Sequence, residues 1–389
     1  MSPVFVPEIG FCPDGTRTLP ESAEVEAHGT RLLVVALAAA PDRTDLIAQW
    51  EQAEAECAPF LTYRSAGAPP NLGLTAVLLA DTARVEATTI AQSAHSVSAS
   101  SRRAIHTMTF APLAPGTERV ELRVSDGTRT WTLPLELAPA APAARALDAK
   151  EDREGVVVRA TALARYGNRL VVELRVEASH PVRQVAAPVH APVFFSRDSE
   201  DVRRERLREH RRVFGLSARP IALEDDRGGR VEEEGRVFAP GWRDAATRKP
   251  SVHRCCVAFP APDAEARSVT LIVPFVDIND LEHSVTADLR EVPLDLELGP
   301  HRFHVVSADA QGSDERRVVM EVPVSSSSPR FMQPARIAGI GRGSYSWGGA
   351  PERGERIWMA TEVGDPPIVT FEGAVMRVDG PWRLTLPAR

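Results

Sequence analysis

The sequence predicts an all-β protein: three immunoglobulin-like antiparallel β-sandwich units in tandem, with a helical Arg-rich insertion in the second. Three observations carry that expectation. Val-rich stretches alternate apolar and polar residues with period two, the pattern of a strand with one buried face. Turn residues interrupt these stretches about every 8–12 positions, the spacing of a sandwich. Phrases also recur: "VELRVSDGTRTWTLPLEL" and the C-terminal "VMRVDGPWRLTLPAR" share one frame, with Trp131 and Trp382 at matching places, 382 − 131 = 251 positions apart.

The first unit covers 1–140, including an N-terminal extension. Its opening phrase is "LLVVALAAAPDRTDLIAQWE" from Leu32, two alternating strands around the polar turn "PDRTD". "VVVRATALARYGNRLVVELRV" from Val156 and "RFHVVSADAQGSDERRVVMEV" from Arg302 have the same form, and they open a second unit at 155–299 and a third at 300–389. Middle phrases match as well. "FAPLAPGTERVELRV" (Phe110 to Val124) and "FPAPDAEARSVTLIV" (Phe259 to Val273) each lead from an aromatic anchor through a Pro-rich corner into an alternating strand, and "VGDPPIVTFEGAVMRV" stands in that place in the third unit. The expected closing strands are "WTLPLEL", "VPLDLEL" and "WRLTLP". Asp-Gly ahead of the Trp reads as a two-residue hairpin turn, because Gly accepts positive φ. The Trp then buries a large apolar surface, and Leu-Pro suits a strand edge, where a missing N–H costs little.

Residues 141–154 are Pro/Ala-rich and then charged, which predicts a semi-rigid spacer. "LELGPHRFH" between the second and third units is short enough that those two units are expected to pack together. "SSSSP" and "GIGRGSYSWGGAPERGER" are expected as flexible loops of the third unit. The second unit is longer because of an insertion at about 182–252, which holds the one strong helix, "DSEDVRRERLREHRRVFGL" (Asp198 to Leu216). Ser196 or Asp198 can cap it, and acids in the first turn with arginines later suit the helix dipole. Glu200–Arg204, Glu205–Arg208 and Glu209–Arg212 stand at supporting spacings, and Gly215 would end it.

Bulk properties narrow the function. Hydrophobic residues make up 43% of the 389, enough for several cores. Lys150 and Lys249 are the only lysines, so the basic charge is nearly all Arg; with the Ala and Pro richness this is the composition of a GC-rich bacterial genome. The net charge of −7 opposes binding to nucleic acid or an anionic membrane surface. The N-terminus lacks the basic and apolar regions of a secretory signal. The longest apolar run, Leu32 to Ala40, falls short of the roughly 20 residues of a membrane span. No span is expected, and the expected location is the cytoplasm. Four cysteines are too few for a secreted disulfide scaffold. Cys255 and Cys256 are adjacent in an expected strand and so point to opposite faces.

Few constellations suggest chemistry. Arg203, Arg204, Arg206, Arg208, Arg211 and Arg212 on the insertion helix could present a patch to an acidic protein partner. Glu200, Asp201, Glu205 and Glu209 interleave with them, so a solvated helix paired with its own acids fits the same residues. The aromatic interleaving that single-stranded nucleic acid would require is missing. "FVDINDLEHS" (Phe275 to Ser284) resembles the Asp-x-Asn-Asp run of cadherin calcium sites, but a hard cation needs about six to eight oxygens, and a polar turn is the expectation. "GIGRGSYSWGGA" has neither the GxGxxG spacing nor a following helix for phosphate. His253 and Cys255 share a strand face, too few ligands for a metal site, and His301 and His304 face apart. None of the ten histidines falls in HExxH, and neither GxSxG nor a P-loop occurs. No catalytic residue, cofactor or metal is expected. Trp242 and Trp347, read as loop residues, join the arginines as candidate partner-binding positions.

The alternating strands and the closing "DGPWRLTLP" are similar to the immunoglobulin-like ectodomain modules of bacterial membrane-bound regulators of the anti-sigma-factor type. That resemblance implies β-sandwich modules that serve protein recognition. The reading preferred here is a non-enzymatic adaptor or scaffold that binds a protein partner through the second-unit insertion and the third-unit loops. The alternatives are a homo-oligomer assembled through sheet edges and an enzyme whose site is assembled across units.

Overall fold

The computed structural model describes residues 3–6, 9–53, 74–80, 83–97, 101–140, 144–186, 220–237, 251–263, 265–310, 315–323, 328–339, 345–348, 355–361 and 367–388. None of these is helical, and the strands pair antiparallel. The expected all-β class holds for the described residues. The insertion helix at 198–216 lies outside them.

Two short strands, β1 (Val4–Val6) and β2 (Gly10–Cys12), come first and pair with each other. The first large sheet then uses β3 (Arg17–Thr18), β4 (Ala23–Ala27), β5 (Thr30–Ala39), β6 (Thr44–Ala53), β7 (Thr75–Ala80), β8 (Ala83–Val97), β9 (Ser101–Phe110), β10 (Arg119–Ser125), β11 (Thr130–Glu136) and β12 (Ala138–Pro139). Its order is β11-β10-β7-β8-β9-β6-β5-β3-β12, with β4 on β5. Strand β8 pairs with β7 through Ala83–Glu86 and with β9 from Ala87 onward, so the sheet folds over on itself. The two layers enclose Leu32, Val34, Leu37, Leu46, Trp50, Phe110, Leu122, Val124 and Trp131. Alternation makes this possible: β11 reads exposed-buried throughout, with Trp131, Leu133 and Leu135 inward.

The described residues from Ala144 onward form three sheets around one continuous core. Strands β13 (Ala144–Arg153), β14 (Val156–Tyr166), β15 (Arg169–Glu177), β16 (Val182–Val185), β17 (Ala222–Asp225), β18 (Arg230–Glu232), β19 (Gly235–Val237), β20 (Val252–Pro260) and β21 (Ser268–Asp288) lead on to β22 (Leu294–Leu298), β23 (His301–Ala310), β24 (Glu315–Glu321), β25 (Arg330–Ala338), β26 (Tyr345–Gly348), β27 (Glu355–Thr361) and β28 (Ile368–Pro387). One sheet runs β13-β14-β15-β20-β19, another β18-β17-β21-β28-β25 with β16 beside β21, and the last β22-β23-β24-β27-β26. The long strands β21 and β28 pair from Ser268↔Pro387 to Asp288↔Ile368. The ribbon they make serves two packing units. Trp382, at one end, donates its indole N–H to Val156 O at 3.2 Å. Phe371, at the other, meets Phe303 of β23 edge-on at 5.2 Å.

That ribbon corrects the tandem arrangement. The strand that closes the second unit is β28, the last in the chain, and not "VPLDLEL", which becomes β22 and pairs with β23. The third unit is therefore inserted between β21 and β28. The Asp379-Gly380 phrase makes no hairpin turn; it lies inside β28 at a register shift opposite Val273 and Phe275. A Cβ on Gly380 would stand 2.5 Å from Val273 O, so the strands approach there as only glycine allows. The expected 141–154 spacer also changes: Ala144–Arg153 is β13, because the open edge of β14 offers pairing and Leu147 and Ala149 reach the core. The expected polar turn at 275–284 is part of β21 instead. Asp277 can be buried there because Arg377 of β28 holds it with two bonds of 2.7 and 2.9 Å while stacking on Phe275, 3.5 Å from the ring centre. Within the expected loop around Trp347, β26 pairs with β27.

Candidate functional site

The first two units meet at a polar cleft whose floor is the β1–β2 hairpin. After Val34 the strand β5 shifts register to Ala36, and after Ala160 the strand β14 shifts to Ala162. Beyond each shift, consecutive residues are buried: Ala36, Leu37 and Ala38 in one strand, Ala162, Leu163 and Ala164 in the other. A strand buried on both faces needs cover on its outer side, and the hairpin supplies it. Val4, Val6, Ile9 and Cys12 pack on Ala36 and Ala38. Phe11, one position away and hence facing the other side, packs on Ala162, Ala164, Val171, Cys256 and Ala258.

A cavity of about 180 Å³ opens beside this contact, lined by Pro3, Phe11, Cys12, Pro13, Ala38, Ala40, Asp42, Arg43, Asp45, Glu173 and Arg254. Each wall carries a buried carboxylate, Asp45 at 3% exposure and Glu173 at 8%. Both are satisfied in the same manner. Arg43 Nε donates to Asp45 Oδ2 at 2.7 Å, and Thr109 Oγ1 to Asp45 Oδ1 at 3.0 Å. Arg254 Nη2 donates to Glu173 Oε1 at 2.8 Å, and Thr161 Oγ1 to Glu173 Oε2 at 2.5 Å. Burial, reinforced by the Asp45 carboxylate, pushes the Cys12 thiol up to about 12. Burial and the Glu173 carboxylate do the same to Cys256, also to about 12. Both thiols stay protonated at neutral pH and are poor nucleophiles there. Each carboxylate is held by a guanidinium and a hydroxyl, an arrangement that fixes position and offers little for proton transfer.

None of the described residues that line the cleft is an expected partner-binding residue. Arg203, Arg204, Arg206, Arg208, Arg211, Arg212 and Trp242 lie outside the described residues. The Trp347 backbone belongs to β26, opposite Trp358 of β27, where a loop was expected. Cys255 and Cys256 do point to opposite faces: Cys255 enters the inner core and Cys256 the hairpin contact. Asp277, in the calcium-like run, is occupied by Arg377. Among the described residues no group of three or more His, Cys, Asp or Glu side chains could hold a metal ion. The signal for the cleft was present in "ALAAAPDRTD", where alternation stops at Ala36 and the turn supplies Asp42, Arg43 and Asp45.

No family model matches this sequence, and no curated protein matches it. Among solved structures, one titled "The crystal structure of the conserved domain protein from Bacillus anthracis" is similar at 11% identity with a TM-score of 0.31, covering 71% of this chain and 83% of that one. A superposition that loose assigns neither fold nor function.

Proposed function

We propose that the chain is a non-enzymatic, cytoplasmic adaptor built from immunoglobulin-like sandwich modules, which presents the 187–219 segment to a protein partner. One observation carries the reading. Strands β16 and β17 both pair with β21 and run in the same direction, β16 against Val276–Ile278 and β17 against Val269–Ile272. They lie end to end along one side of β21, interrupted opposite Pro274, with β18 outside β17, and the interruption is the Arg-rich segment. A long excursion between two strands that pair with the same neighbour is held at both ends by a rigid frame, the usual setting of a recognition element. The satisfied carboxylates and protonated thiols of the cleft favour binding over catalysis. Among the described residues no helix is long and apolar enough to cross a membrane.

The test replaces residues 188–218 by a short Gly/Ser linker. The excision must stop before Ile221, because Ile221, Ala222 and Leu223 are core residues. The expected outcome is a folded β protein that no longer retains a stoichiometric partner captured by the full chain from its native cytoplasm. Charge reversal of Arg203, Arg204 and Arg208 to Glu in the intact chain should give the same loss. Unchanged capture by both variants overturns the proposal.

A further inference from the structure

We propose that the β1–β2 hairpin is a releasable clasp: it fixes the first sandwich against the second, and its opening unmasks the thiols of Cys12 and Cys256. The hairpin forms a two-stranded sheet of its own and is hydrogen-bonded in a ladder to neither neighbour. It is held by side chains pointing both ways, Val4, Val6, Ile9 and Cys12 into one sandwich and Phe11 into the other. Among the described residues no strand from β3–β12 makes an extended backbone contact with a strand from β13–β28. Among the described residues, the side chains of the hairpin and the cleft beside it bridge the two bodies.

The surfaces under the hairpin are small and apolar: Ala36 and Ala38 on one side, Ala162, Ala164 and Ala258 on the other. Such a contact has few polar bonds to break, and three-residue strands are at the low-stability end of any fold, so it opens before the sandwiches do. Phe5 extends the contact outward, tilted against Phe11 at 5.0 Å and edge-on to the half-exposed Tyr166 at 6.0 Å. Release leaves both sandwich cores intact but removes the cover from Cys12 and Cys256. Their thiols then return toward ordinary acidity, because burial is the main cause of their elevation.

The adjacent pair Cys255–Cys256 is a built-in control. Cys255 lies in the inner core, 2% exposed, and becomes accessible only when the second sandwich unfolds. Cys256, 1% exposed, becomes accessible when the clasp opens. The experiment is timed alkylation of the native full-length chain by iodoacetamide, read by fragment mass spectrometry of the peptide that holds both cysteines. Local opening predicts that Cys256 is alkylated at least about tenfold faster than Cys255, with Cys12 keeping pace with Cys256. Phe11→Ala should accelerate Cys12 and Cys256 and leave Cys255 unchanged. A single common rate for Cys255 and Cys256 in the native chain, which requires no variant to fold, would overturn the clasp.

Discussion

The first and second sandwiches invite direct comparison, because they solve one folding problem with the same local devices. Each begins with a hairpin whose two turn residues have positive φ, His28 (55°) and Gly29 (68°) in one, Glu154 (51°) and Gly155 (77°) in the other. That pair of angles is what a tight hairpin turn needs to match strand twist. From there the correspondence runs at a constant offset. Thr30 and Val156 start the strands, and the register shifts at Ala36 and Ala162 fall at the same separation, 156 − 30 = 126 and 162 − 36 = 126. Each closes on a fully buried Trp whose indole N–H bonds to the backbone at the opening turn, Trp131 to Ala27 O at 3.1 Å and Trp382 to Val156 O at 3.2 Å.

They differ in how the closing pair of strands is joined. In the first sandwich β10 and β11 are linked by the short turn Asp126–Arg129, stabilised by the Asp126 carboxylate, which accepts from the backbone N–H of Thr128 and Arg129. In the second, the partners around Val273 and Trp382 are linked through residues 274–381, which hold a further sheet. Antiparallel pairing depends on register and face, and loop length enters only through a slowly growing closure entropy, roughly 3 kcal/mol for so large an increase in a flexible loop. Here the loop is itself folded, and continuing β21 and β28 into it lets both units share one core.

The largest test of this comparison is the tryptophan pair. Trp131→Ala and Trp382→Ala should each cost about 4 kcal/mol, as truncation of a buried aromatic does. Hydrogen exchange should show the first variant loosening β3–β12 alone, and the second loosening β13–β28 as one block. Independent melting of β22–β27 in Trp382→Ala would break the shared-core account. Next comes Asp277→Ala, which strands the nearly buried Arg377 on the ribbon and should cost about 3 kcal/mol in a denaturant titration; the first sandwich should not respond.

A third difference sharpens under acid. His106 of β9 stands where Cys255 stands in β20, as judged from Phe110 and Phe259 four positions on in each strand. His106 is 2% exposed, meets Trp50 edge-on at 6.5 Å, and among the described residues neither ring nitrogen has a hydrogen-bond partner. Burial therefore lowers its pKa from 6.5 to about 4. The unfolded chain binds the proton more readily, so stability is fully present above the unfolded value and falls as pH drops from 6.5 towards 4. At pH 5 the loss should be about 2 kcal/mol, confined to the first sandwich and abolished in His106→Leu. Equal acid sensitivity of both sandwiches would refute this. The smallest effect concerns the cleft walls: Thr109→Val and Thr161→Val each remove one hydroxyl donor from a buried carboxylate and should cost about 1 kcal/mol apiece in thermal unfolding.

Much of the architecture was legible in the chain. Strand alternation, the two buried tryptophans and the match of Phe110–Val124 to Phe259–Val273 all follow from side-chain period and composition, which act over a few residues. "VDGPW" misled because Asp-Gly favours a turn only where the chain is free to reverse, and here Arg377, Asp277 and the close approach at Gly380 hold it in a strand. Residues 144–153 misled because a charged, Ala-rich run has little strand preference of its own and takes one up only beside the open edge of β14. The cleft was visible only as a break in alternation at Ala36, with nothing local to say that a second break at Ala162 would be covered by the same hairpin.

By itself, then, the sequence determined most of the strands, which face each of those buries, and where Trp131 and Trp382 anchor, but not the strands at 144–153, 275–284 and 345–348. Tertiary structure alone decided which strand closes which sandwich, that the third unit is inserted rather than appended, and that Asp45 and Glu173 line one cleft. The physical reason is range. Burial pattern is encoded residue by residue, whereas the pairing of Ser268 with Pro387 depends on which unpaired edge the rest of the fold leaves open.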